Sequence, residues 1–183
     1  MNKITPFKTS LYHIENVKHD VLDFVYDELE NEDSRVVSNR GGWQSQLKYY
    51  DSCEWMKPVI DDITKYVEII YAEHGIRQPV NLLSYWMNIN PTYSYNTSHN
   101  HPHCYFSAVW YLKTPENSGH IAFERPDMYS DYIMADEFND NNYGSWRIQP
   151  KEYDLIIFPA YLKHLVDINL SQEYRVSIAF NYK

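Results

Sequence analysis

Apolar residues in the first part of the chain recur at steps of three and four. Across VKHDVLDFVYDELENED the residues Val17, Val21, Phe24, Val25 and Leu29 fall on one side of a 3.6-residue period, which predicts an amphipathic helix with a single core-facing stripe. The segment closes in the acidic residues around 30–34. DSCEWMKPVIDDITKYVEIIYAEHG repeats the spacing with Val59, Ile63, Tyr66, Val67 and Ile70, behind Asp51 or Ser52 as an N-cap and ahead of a stop at Gly75. Pro58 falls in the first turn, where a missing N–H is tolerated. The chain up to residue 78 is therefore expected to be mostly helical, apart from the loop SNRGGWQSQ around Gly41 and Gly42.

From residue 80 the period shortens. NLLSYWMNIN, CYFSAVWYLK, HIAFE, SWRIQP, YDLIIFP, HLVDIN and RVSIAFNYK each have strand length, and Pro, Asn, Gly, Ser and Asp separate them. Such spacing predicts a β-sandwich or barrel. The longest gap, PDMYSDYIMADEFNDNNYG over 126–144, is acidic and tyrosine-rich; a connection of that length is either a lid or a solvated excursion. The whole reads as one domain over 1–183, with helical support in 1–78 and a β core in 79–183.

Composition narrows the function classes. The chain has 183 residues, 44% of them hydrophobic, with 18 Tyr and 5 Trp; one core fits that length, and much of its apolar material carries a polar tip that needs a partner. Only five glycines argue against repeated tight turns. A formal charge of -9 opposes binding to a phosphate backbone, which takes clustered Lys and Arg, so no nucleic-acid partner is expected. No apolar run reaches the ~18 residues a membrane helix needs, and MNKITPFKTS lacks the apolar centre of a signal peptide. Cys53 and Cys104 set no disulfide framework. No membrane association and a reducing, cytoplasmic setting are the expectation.

The chemistry concentrates in two places. SHNHPHCYFSAVWYL puts His99, His101 and His103 on alternate positions; in extended backbone these share a face, and imidazole is the commonest side-chain ligand for a transition metal. A histidine-rich polar turn beside a strand is the competing reading. Further on, in IIFPAYLKHLVDINLSQEYRVSIAFN, His164 follows a buried strand and a Pro turn, and Arg175 stands inside the apolar strand RVSIAF. A guanidinium there is costly unless an anion meets it. That anion is either one of the 25 Asp and Glu residues or a bound carboxylate. Ser177 shares the face of Arg175 and adds a hydroxyl donor, while Asn88, Asn90 and Asn96 lie just ahead of the histidines.

The order H-x-ligand, distant His, then R-x-S resembles the Fe(II)- and 2-oxoglutarate-dependent dioxygenases, whose double-stranded β-helix holds iron with two histidines and a carboxylate. More narrowly, NRGGWQS (39–45), YNTSHNHP (95–102), FSAVWYL (106–112), SGHIAFERP (118–126) and IIFPAYLKH followed by YRVSIAFN are similar to a family of small, prolyl-hydroxylase-like 2-oxoglutarate-Fe(II) oxygenases. The resemblance implies a mainly β fold with N-terminal helices: a cupin-like jelly roll, a double-stranded β-helix, with helices packed on one sheet. It implies His99, His101 and His164 as metal ligands, with His101 at the position of the usual aspartate or glutamate. Arg175 and Ser177 would hold the distal carboxylate of 2-oxoglutarate, with Tyr111 as a second hydrogen-bond donor and Asn90 beside them. A histidine at the carboxylate position removes one negative charge and gives a three-His site or, with a carboxylate or water as third ligand, a two-His site, and Zn(II) suits three imidazoles as well as Fe(II); a register pairing His101 with His103 is the alternative.

The implied reaction hydroxylates an unidentified peptide or small molecule with dioxygen and releases succinate and CO2, with ascorbate as a possible reductant. A homodimer stays open. The rival readings are a cupin-type metal-binding domain without oxidative turnover, either an isomerase-like enzyme or a small-molecule binding module, and an interaction protein whose histidines merely decorate a loop.

Overall fold

The computed structural model describes residues 1–2, 4, 7–127, 134–139 and 141–183. Its first part holds β1 (Tyr12–Ile14), α1 (Leu22–Asn31), β2 (Asn39–Arg40), β3 (Trp43–Gln44) and α2 (Lys57–Glu73). Eight further strands follow: β4 (Leu82–Asn90), β5 (Tyr95–His99), β6 (Phe106–Lys113), β7 (Ile121–Glu124), β8 (Ser145–Ile148), β9 (Leu155–Pro159), β10 (His164–Val166) and β11 (Arg175–Tyr182). They form two antiparallel sheets, one ordered β1-β9-β6-β11-β4-β3 and the other β2-β5-β10-β7-β8.

The two-residue period of the long strands sorts the chemistry by face. On β11, Val176, Ile178, Phe180 and Tyr182 join one buried cluster, and Tyr85, Met87 and Ile89 of β4 and Trp110 and Leu112 of β6 join it too. Val25 of α1 and Val59, Ile63, Val67 and Ile70 of α2 complete that cluster, so the helices and the larger sheet share one core. The alternate residues, Arg175 and Ser177 on β11, Trp86, Asn88 and Asn90 on β4 and Tyr111 on β6, line a cavity shared with the smaller sheet. Both faces of the larger sheet are thus covered. That is why its strands read as nearly unbroken apolar runs.

Several expectations are corrected. The first 78 residues contribute β1, β2 and β3, which pair with β9, β5 and β4; strands of two or three residues are too short to carry a period, and their partners lie far along the chain. β5, with the polar sequence YNTSH, is a strand for the same reason of pairing. Neither Asp51 nor Ser52 caps α2: a 3-10 turn over Glu54–Met56 intervenes, and no side chain caps the helix, although Pro58 does sit in its first turn. Phe24 is 46% exposed and stacks on Trp55, ring centroids 5.3 Å apart. Gly75 does end α2: its φ is 69°, and the N–H groups of Gly75 and Ile76 return to the carbonyls of Ala72 and Tyr71 at 3.1 and 2.8 Å, a closure that needs a left-handed residue. Of the connection read as a lid, residues 128–133 and 140 lie outside the described residues. Among the described residues no helix is long and apolar enough to cross a membrane, and both cysteines are free.

Candidate active site

Strand pairing brings the distant histidines together. His164 on β10 is the register partner of His99 on β5, so their side chains leave one face of the smaller sheet, with ring centroids 4.3 Å apart. His101 lies just beyond β5, anchored by its N–H to the carbonyl of Ala160 at 2.9 Å. Its ring is nearly parallel to that of His164, at 5.1 Å and 6°, and stacks on Trp86 at 5.6 Å. One ligand nitrogen from each of His99, His101 and His164 falls within 4.8 Å of the others.

The tautomers follow from the carbonyls behind the rings. His99 Nδ1 lies 2.8 Å from Thr97 O, and His164 Nδ1 lies 3.1 Å from Leu162 O; only an N–H can face a carbonyl, so in both rings Nε2 is left as a lone pair. The Asn181 side chain next to His101 partly offsets the lowering of that ring's pKa, and its Oδ1 accepts from Ser107 Oγ at 2.9 Å. His101 Nε2 and the lone-pair Nε2 of His164 lie 3.4 Å apart, so these two ligand nitrogens converge on one point. Burial, with the neighbouring imidazoles, pulls His164 down to about 3 and His101 down to about 4, and burial lowers His99 as well. All three are neutral at pH 7 and ready to bind a metal.

His103 does not join them. It is exposed and its φ is 72°, so the chain turns its side chain away, and the pairing of His101 with His103 is overturned. The alternation of three histidines fails because the strand stops at His99.

Arg175 is 1% exposed. Its Nη1 donates to the carbonyls of Ser118 and, at 3.3 Å, Asp167. No described carboxylate pairs with it: the Asp167 carboxylate faces Arg147 at 3.4 Å and His120 at 3.7 Å. Nη2 of Arg175 and Nδ2 of Asn90, its register partner on β4, are buried without a hydrogen-bond partner among the described residues. A structural ion pair, the bland account of this arginine, is therefore not what the fold provides. Ser177 faces Tyr111 across β11 and β6, and burial raises the Tyr111 phenol despite Arg175 nearby. Asn88, Asn90, Asn96, Tyr111, Arg175 and Ser177 line the same cavity as the three histidines.

Sequence reasoning missed Trp86, Asn181 and two glycines. Trp86 was legible in principle, since it alternates with Asn88 and Asn90. Gly42 has no such signal: a Cβ there would stand 2.7 Å from Asn90 Nδ2, so its missing side chain gives Asn90 its space. At Gly119 φ is +89° and a Cβ would meet the Asp167 carbonyl oxygen at 2.5 Å, the oxygen that Arg175 uses.

The chain matches the family model described as "Putative 2OG-Fe(II) oxygenase" over residues 84–181. None of the curated proteins matches it. Among solved structures, a Pseudomonas putida prolyl-4-hydroxylase superposes with a TM-score of 0.66 at 14% identity, over 96% of this chain and 92% of that one. The epimerase SnoN of nogalamycin biosynthesis, in complex with Fe3+, alpha ketoglutarate and nogalamycin RO, gives 0.70 at 14% identity over 95% and 78%. A 2OG-Fe(II) oxygenase family oxidoreductase from Burkholderia pseudomallei gives 0.58 at 12% identity over 78% of this chain, which spans 66% of that protein. At these identities the likeness is one of fold, which these 2-oxoglutarate oxygenases share with the two-sheet architecture described above. The family match takes in more than half of the 183 residues and contains every histidine and arginine of the cavity, so the chain belongs to the 2OG-Fe(II) oxygenase family and is a 2-oxoglutarate-dependent oxidoreductase.

Proposed function

We propose that His99, His101 and His164 hold Fe(II), and that Arg175, with Ser177 and Tyr111, grips the distal carboxylate of 2-oxoglutarate in a hydroxylase acting on a peptide or small molecule. The observation that carries this reading is the pair of unpartnered buried donors, Arg175 Nη2 and Asn90 Nδ2, in the cavity onto which three neutral imidazoles converge. A buried donor left open costs about 1–3 kcal/mol; an anion that accepts from it removes that cost. The donor set fits a transition metal: three nitrogens, two of them fixed in the ligating tautomer by backbone carbonyls.

When bound, Fe(II) and 2-oxoglutarate would supply the oxidation, in which dioxygen places one oxygen atom in a C–H bond and the other in succinate, with loss of CO2. The chain's own residues do the rest. Arg175 offers a planar fork to a carboxylate, the Ser177 hydroxyl adds a donor, and the carbonyls of Ser118 and Asp167 orient the guanidinium. Trp86 and Phe158 pack against the imidazoles and keep water from them. That SnoN was crystallised with Fe3+ and alpha ketoglutarate supports the same pair of groups here, while the prolyl-4-hydroxylase and SnoN leave both substrate classes in view. A cupin-type domain without oxidative turnover gives the open donor of Arg175 nothing to hold.

Anaerobic titration with Fe(II) and 2-oxoglutarate tests the reading. A visible charge-transfer band should grow with 2-oxoglutarate and be absent in His164→Ala, and admission of oxygen should then release succinate. Protein that takes up Fe(II) yet binds no 2-oxoglutarate would refute it.

A further inference from the structure

A row of facing residues crosses the smaller sheet. His99 on β5 faces His164 on β10, His164 faces Phe123 on β7, and Phe123 faces Trp146 on β8. Directly opposed residues project from one face, so the face that presents the imidazoles continues over Phe123 to Trp146. There a cleft of about 350 Å³ opens, within the size range of small-molecule sites. Phe123 and Leu162 line its inner side, and both contact His164: the Leu162 carbonyl accepts from Nδ1 at 3.1 Å, and the Phe123 ring lies 5.9 Å from the imidazole.

The outer side has a definite chemistry. Tyr143 stacks on Phe138, ring centroids 6.4 Å apart at 10°, and meets Trp146 edge to face, 5.8 Å apart at 74°. Trp146 is 50% exposed. Glu124 also lines the cleft, and no described Lys, Arg or His comes within ion-pair distance of its carboxylate. Arg125, the one cation in the lining, is turned to the Asp127 carboxylate and the Asn141 carbonyl. The described residues between Pro126 and Gly144 include Asp127, Asp136 and Glu137 and no Lys or Arg. The exposed indole of Trp146 beside a carboxylate with no cationic partner among the described residues, in a chain of charge -9, selects a cation.

We propose that this cleft binds the cationic end of an aliphatic chain, an ammonium or guanidinium of the lysine or arginine type, carried by a free amino acid or by a peptide. Two strand spacings, about 10 Å, separate β8 from β10, so the cation is read several bonds away from the carbon presented to the imidazoles. Which carbon is oxidised rests on the function proposed above; recognition of the cation does not.

The test is calorimetric titration of the anaerobic protein, loaded with Mn(II) and 2-oxoglutarate, with Nα-acetyl-lysine amide, its norleucine counterpart and the peptide Gly-Gly-Lys-Gly-Gly. The lysine probe should bind roughly tenfold or more tightly than norleucine, and Trp146→Ala and Glu124→Gln should each weaken it by about fivefold or more while leaving 2-oxoglutarate affinity unchanged. A stronger response to the peptide identifies a protein substrate, and a stronger response to the amino-acid amide a free one. Equal binding of lysine and norleucine probes, binding of neither, or indifference to both substitutions overturns the proposal. Failure of 2-oxoglutarate to bind overturns the oxygenase site instead, and lysine discrimination measured without it would still stand.

Discussion

Replacing Arg175 by methionine separates what the arginine does for the fold from what it does for the ligand. In the free protein the guanidinium is 1% exposed, pairs with no described carboxylate, and has one nitrogen without a partner. Burying such a charge costs several kcal/mol. Against this, methionine leaves the Ser118 and Asp167 carbonyls without their donor, at about 1–3 kcal/mol each. The two effects nearly cancel, and unfolding of Arg175→Met by urea should stay within about 2 kcal/mol of the parent. Binding behaves differently. Two charge-assisted hydrogen bonds to a carboxylate are worth about 1.5–3 kcal/mol each, so 2-oxoglutarate affinity should drop by roughly 10²- to 10⁴-fold. With Mn(II) present and 2-oxoglutarate at a hundred times its dissociation constant, the parent gains about 2.7 kcal/mol of stability; the variant at the same concentration should gain no more than about 0.4 kcal/mol. A variant that keeps the 2-oxoglutarate gain sinks the assignment, and one that loses more than about 4 kcal/mol in the free state makes Arg175 a structural tie between two loops.

Three further outcomes follow from the site. His99→Ala and His164→Ala should each abolish stoichiometric metal uptake, measured by elemental analysis after reconstitution, whereas His103→Ala should leave it intact because that side chain is outside the cluster. In metal-free protein the folded-state values of His101 and His164, about 4 and about 3, lie below the unfolded value near 6.5; their contribution is fully present above pH ~6.5 and is lost as pH falls toward 4 and 3, on the order of 2 kcal/mol per histidine by pH 5. Urea unfolding at pH 7.5 and pH 5 reads this directly, and equal stability at both would show that the rings are not buried as neutral species. Gly119→Ala forces a side chain against the Asp167 carbonyl at a φ of +89°; it should destabilise by about 1–3 kcal/mol and weaken 2-oxoglutarate binding, while an effect on stability alone would separate the two carbonyls from the orientation of Arg175.

The elements that could be read from sequence are those whose partners lie within a few residues or whose period is long. α2 shows its apolar stripe over 17 residues, and β4, β6, β9 and β11 announce themselves as apolar runs. β5 and β2 could not be read, because a polar pentapeptide and a dipeptide become strands only through partners such as His164 and Asn96. The site followed the same division. His101, His164, Arg175 and Ser177 were legible because a buried-strand arginine and paired histidines are chemically expensive and so carry information. The role of Trp86 depends on a stacking distance, and that of Gly42 on the 2.7 Å a Cβ would leave to Asn90. No local pattern encodes either. His103 misled for a simple reason: alternation in sequence means a shared face only while the backbone stays extended, and β5 ends at His99.

A ligand set of three imidazoles differs from one with a carboxylate in how strongly metal and cosubstrate depend on each other. Neutral nitrogens leave the full charge of a divalent ion unneutralised in a cavity that already contains the buried guanidinium of Arg175. Metal alone therefore adds positive charge to positive charge at low dielectric. In the complex proposed above, 2-oxoglutarate would bring a carboxylate to each end of the cavity and relieve both. Binding of either should raise affinity for the other by the same factor, since linkage is reciprocal, and at the usual 1–3 kcal/mol of coupling this is about 5- to 150-fold. Titrating Mn(II) with and without saturating 2-oxoglutarate, and the converse, closes the cycle. Metal affinity that ignores the cosubstrate would mean that the two do not share this cavity, and the charge reasoning that joins the histidines to Arg175 would fall.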